Sequence, residues 1–122
     1  MHLIANILLA FVGLEHLGIM LLEMFAKPDR QAKAFDLKES FVRQREVRVL
    51  LANQGIYNGM LGLAILASFG LFSGSSQMVV QLLLLTFVVV VAIFGGFTAT
   101  KKIWLLQMLP ALLALLALMV SR

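Results

Sequence analysis

A chain of 122 residues is one domain, with no room for a separate catalytic module. Hydrophobic residues make up 61% of it and mean hydropathy is +1.00, against roughly 45–50% apolar content in soluble domains, so it reads as an all-α integral membrane protein. The basic residues behind the net charge of +4 cluster around 27–48 and at 101–102, which argues against nucleic acid, and the lack of cysteine excludes disulfides and thiol chemistry.

Four apolar runs, each near the roughly 20 residues a membrane-crossing helix needs, predict a four-helix bundle as one transmembrane domain over 1–122. The first run, about 3–26, ends against Lys27-Pro28-Asp29, where proline stops a helix. Its n-region is poorly basic and its apolar stretch too long for a cleaved signal peptide, so it is taken as a true span. The loop 27–46 is highly charged. Asp36-Leu37-Lys38-Glu39 has capping-box spacing, with Asp36 as acidic N-cap, and Glu39 and Arg43 form an i,i+4 pair, so the second half of the loop should be helical. Phe35, Phe41 and Val42 suit a segment at the headgroup boundary.

The second run, about 47–72, carries Gly55, Gly59 and Gly62 at the small-residue spacing that lets a neighbouring backbone come close. A polar turn over 73–77 leads to the third run, about 78–99, which ends in Ala92, Gly95, Gly96 and Ala99. After Thr100-Lys101-Lys102, the fourth run, about 103–120, opens on Trp104 at the interface, and Pro110 should kink it. Of the ten Lys and Arg, most lie between Lys27 and Arg48, and Lys101 and Lys102 form the other internal cluster. Both clusters follow odd-numbered spans, so the positive-inside rule makes both loops cytoplasmic, puts both termini outside and predicts a multi-pass plasma-membrane protein.

Within these spans the polar residues are few and mark the candidate site. Glu15, His16 and Glu23 lie in the first, and Asn53, Gln54, Tyr57 and Asn58 in the second. Ionisable groups in a bilayer are expensive, about 2.5–3.5 kcal/mol each on insertion scales, and usually mark a ligand, ion or proton site. Counted at roughly 1.5 Å per residue, Glu23 is level with Asn53 and Gln54, and Glu15 and His16 with Tyr57 and Asn58. His16 and Glu23 share a face, whereas Glu15 is turned about 100° from His16 and should look toward another span or a second protomer. A Glu–His pair there would titrate as a unit.

Each residue also has a purely structural role open to it. Glu23 can pair with Lys27 and snorkel, His16 can hydrogen-bond Tyr57 or Asn58, and the amides can tie helices together. Gln107 and Thr98 read as packing residues. No metal is called for: His16 and Glu23 are roughly 10.5 Å apart along the helix, too far to share an ion. Nor does any cofactor, phosphate-loop or hydrolase motif stand out.

At these residues the chain resembles a family of small bacterial and fungal membrane proteins, the domain of unknown function 1304. The resemblance rests on Glu15-His16 followed by Leu22-Glu23-Met24-Phe25, on Asn53-Gln54-Gly55 with Tyr57-Asn58-Gly59, and on Gln107-x-x-Pro110-Ala111. One departure is the aromatic residue expected shortly after His16, where Leu17 and Gly18 stand. The resemblance implies four spans and no particular activity. The residues themselves favour binding or transport of a small polar or cationic solute, proton-linked through Glu15 and His16, in a homo-oligomer embedded in lipid. A structural subunit ranks second. An intramembrane enzyme on a lipid-like substrate, with His16 and a Glu as acid–base pair, ranks last.

Overall fold

The computed structural model describes residues 2–121, and among these every regular element is helical. Helix α1, His2–Phe25, stops before Pro28, which occupies the first turn of α2, Pro28–Phe35. A short α3, Glu39–Val42, precedes α4, Arg45–Leu71. Gly74 takes a positive φ of 57°, open to glycine at little cost, and lets the chain reverse directly into α5, Gly74–Thr98. The expected turn over 73–77 therefore shrinks to Phe72 and Ser73, and Gln77 becomes part of the helix. The last helix carries a π-turn, Trp104–Met108, just after its start and continues as α6, Leu109–Val120.

Helices α1, α4 and α5 are each long and apolar enough to cross a bilayer, whereas the run Trp104–Val120 is shorter. Helix α1 packs most extensively on α4 and also on α6, and α5 closes the bundle against the last helix. A wholly apolar core joins Leu9 and Val12 of α1, Ile65 of α4, Leu85 and Val88 of α5, and Ala111 and Ala114 of α6. It occupies the half of the bundle toward the α4–α5 hairpin. The opposite, basic end is built differently.

There the loop predicted to be helical in its second half is helical mainly in its first. Asp36 is not an N-cap. It ends α2 in the left-handed conformation (φ 54°, ψ 41°), and Lys38 precedes the first residue of α3. Tertiary bonding outcompetes the local cap: Thr100 Oγ1 donates to Asp36 Oδ2 at 2.5 Å, and Lys102 Nζ donates to Asp36 Oδ1 at 2.7 Å and to the Lys33 carbonyl at 2.9 Å. The Glu39–Arg43 ion pair forms as expected. Buried Gln31 donates to the carbonyls of Leu22 and Glu23 at 3.0 and 2.9 Å, tying the arm to the end of α1, where the Leu22 carbonyl also accepts from the Ala26 N–H. The arm α2–α3 is thus bonded to α1 on one side and to the α5–α6 turn on the other.

Candidate functional site

Glycine sets the register between α1 and α4. Gly55, Gly59 and Gly62 are buried and present bare backbone to α1. Gly62 faces the Gly13 carbonyl and His16 Cβ, Gly59 faces Met20, and Gly55 faces Glu23 and Met24. His16 is therefore opposite Gly62, about a turn further along α4 than equal counting from the two helix ends implies. The first turns of α4, from Arg45, run past the end of α1, because the glycines must lie beneath the bulkier side chains of the partner helix.

His16 is only 2% exposed. Its Nδ1 is 2.8 Å from the Val12 carbonyl, which can only accept, so Nδ1 carries the proton and Nε2 is left as the second ring position. Glu23 is also buried, and its Oε2 accepts a hydrogen bond from Asn58 Nδ2 at 2.8 Å. Asn58, not Asn53 or Gln54, is thus the partner of Glu23, and no Glu23–Lys27 ion pair forms. The bond uses one end of the Asn58 amide and leaves its carbonyl oxygen available as an acceptor.

Two half-open clefts open in the bundle, one of them walled in part by Asn58. The first, about 470 Å³, lies between α4 and α5 and is lined by His16, Gln54, Tyr57, Asn58, Leu61, Phe87, Val88, Val91 and Gln107. It exists because α4 and α5 are joined at their hairpin end. There Gln77 Nε2 donates to the carbonyls of Ser68, Phe69 and Phe72, and Gln81 donates to Ser68 Oγ. Beyond that end the two helices approach little.

The second cleft, about 490 Å³, lies between α1 and the π-turn, above α2. Glu15, Ile19, Leu22, Phe35, Ile103, Leu106 and Gln107 form its walls, with Lys33, Thr100 and Lys102 at the basic end. The Glu15 Oε2 atom is buried and has no hydrogen-bond partner among the described residues. Outside the spans, hydrogen bonds from Lys102 and then Thr100 hold the Asp36 carboxyl below the usual carboxylate range.

The seven residues singled out from the sequence are thus divided. His16, Gln54, Tyr57 and Asn58 line one cleft, and Glu23 joins them through Asn58. Glu15 lines the other cleft, and Asn53 is exposed and lines neither. Gln107, read as a packing residue, lines both, whereas Thr98 only bonds back to the Phe94 carbonyl. The π-turn turns Gln107 inward. Leu109 N–H reaches back to the Trp104 carbonyl, and Pro110 has no N–H to continue a regular ladder. The pairing Gln107-x-x-Pro110 was the one signal for it in the chain. Among the described residues, no three His, Cys, Asp or Glu are gathered to hold a metal ion.

The family described as protein of unknown function (DUF1304) matches residues 10–119. The uncharacterized protein YpaA of Lactococcus lactis subsp. lactis (strain IL1403) is 36% identical over 118 residues, covering 96% of this chain and 98% of that protein. No solved structure matches the chain. The family match takes in the residues of both clefts and of the Glu23–Asn58 bond, and with that relative it shows that the chain belongs to the DUF1304 family.

Proposed function

We propose that this is a multi-pass protein of the plasma membrane that binds a small polar or cationic solute in the cleft between α4 and α5. In this reading Trp104–Val120 is the fourth span, the charged arm α2–α3 is cytoplasmic and both termini are outside. The observation that carries it is the buried His16 at a cleft whose wall includes Asn58, itself held by Glu23. Asn58 Oδ1 and His16 Nε2 are acceptors left over from internal bonds, so the solute must bring hydrogen-bond donors. Tyr57 and Phe87 add aromatic faces suited to a cation. Transport, with His16 and Glu23 carrying a linked proton, extends the same reading. A complete path would need a second copy of the chain, since the cleft is open on one side.

The test is a thermal-shift screen of small ammonium compounds and polyols on the purified protein in neutral detergent. Hits should lose their stabilising effect in Tyr57→Ala, a change at an exposed residue with little structural cost. Absence of any hit, or hits indifferent to both Tyr57→Ala and His16→Gln, would end the solute reading. A pH gradient should then drive uptake of a hit into liposomes, and His16→Gln should abolish that drive.

A second reading is favoured by the Glu23–Asn58 bond itself, which ties α1 to α4 where their glycines bring the backbones together. The chain would then be a structural subunit. Its variants would change stability or assembly while no solute binds.

A further inference from the structure

We propose that the cleft between α1 and the π-turn is a separate binding site for an amphiphile with an anionic head and an apolar chain. The inference rests on the membrane reading above and is independent of the solute cleft. Its walls are hydrocarbon: Ile19 and Leu22 on one side, Ile103 and Leu106 on the other, with Phe35 from the arm. Its basic end carries Lys33 and Lys102. Lys102 is engaged by Asp36, and Thr100 takes the second Asp36 oxygen, so that carboxylate is already satisfied. The Lys33 ammonium has no hydrogen bond or ion pair among the described residues, although it lines the cleft. The positive charges at this end therefore outnumber the single carboxylate, and an anionic head is the complementary one.

The inner end sets the depth. Glu15 lies roughly 15 Å of helix rise from the end of α1. With Gln107 it makes a polar stop to an otherwise apolar groove. A groove that runs from the headgroup level toward mid-bilayer, basic outside and apolar within, matches a lipid-like molecule entering from the cytoplasmic leaflet and not a water-borne ion.

The experiment compares hexadecyl phosphate, hexadecylphosphocholine and inorganic phosphate on the full chain in neutral detergent. Thermal unfolding midpoint and retention in native mass spectrometry are the readouts. Hexadecyl phosphate should raise the midpoint and stay bound, the zwitterion should do so more weakly, and inorganic phosphate should do neither. Lys33→Gln should weaken the alkyl phosphate about tenfold, the loss of one such contact. Leu106→Trp, which fills the groove, should abolish retention while the midpoint without ligand shows that the helices are intact. If that variant does not fold, Ile19→Phe serves in its place. Tyr57→Ala in the other cleft should change nothing, which separates this site from the solute reading. Equal retention of zwitterion and anion, or retention unaffected by both groove-filling variants, would overturn the proposal. Displacement by inorganic phosphate alone would do so as well.

Discussion

Among the described residues, Asn58 and Glu23 form the one side-chain to side-chain hydrogen bond between α1 and α4, close to the basic end of α1. Its worth lies mainly in what its loss exposes. Removing the amide in Asn58→Ala leaves the Glu23 carboxyl buried without its partner, a penalty of about 1–3 kcal/mol. Thermal or denaturant unfolding in detergent should show that loss. Glu23→Gln should cost less, because an amide can still accept from Asn58, and Asn58→Asp should cost more, because it sets two carboxyls together. His16 differs from this pair: its Nδ1 is satisfied within its own helix, so it contributes to the cleft without tying helices together.

At the scale of helices, the α4 glycines are not equivalent. A Cβ added at Gly59 would meet the thioether of Met20, the far end of a flexible side chain that can swing aside. One added at Gly62 would press on the Gly13 carbonyl, which is backbone and can yield only if α1 moves. Gly62→Ala should therefore destabilise by about 1–3 kcal/mol, as overpacking does, and Gly59→Ala by distinctly less, in the same unfolding assay. Gly96 is a third case. Its Cβ would fall on the indole of Trp104, whose ring N–H is bonded to the Ile93 carbonyl at 3.1 Å. That contact seats the π-turn on α5, and the π-turn in turn aims Gln107 between the clefts.

For the whole molecule, the arm is fastened to the α5–α6 turn through Asp36. Because its carboxyl is more acidic in the fold than in the unfolded chain, its contribution is present above the ordinary carboxylate range. It is lost as pH falls below the ordinary value of 3.8 and through the lowered folded one. Amide exchange across α2 and α3 should accelerate over that window, and in Asp36→Asn it should already be fast at neutral pH. Both partners are exposed, so salt should loosen the arm as well. Topology is testable on the same scale, since the chain has no cysteine of its own. A single cysteine at Ser75 should react with an impermeant maleimide on intact cells, and one at Ser40 only after the membrane is opened. The reverse pattern would invert the proposed orientation.

Composition and spacing were enough to mark the long apolar helices, the basic clusters, the glycine face of α4 and the polar residues inside apolar runs, because each follows from local chemistry along one chain. They could also show that Glu15 and His16 look in different directions, since the angle between neighbours on a helix is a property of the helix. What they could not supply was the slide of one helix past another, which depends on how glycines and bulky side chains interlock. That slide paired Glu23 with Asn58 and left Asn53 outside. Nor could they foresee that Asp36 would leave its own loop for Lys102, or that a π-turn would bring Gln107 to both clefts. Those outcomes are decided by contacts between residues far apart in sequence, and only the folded bundle brings them within reach.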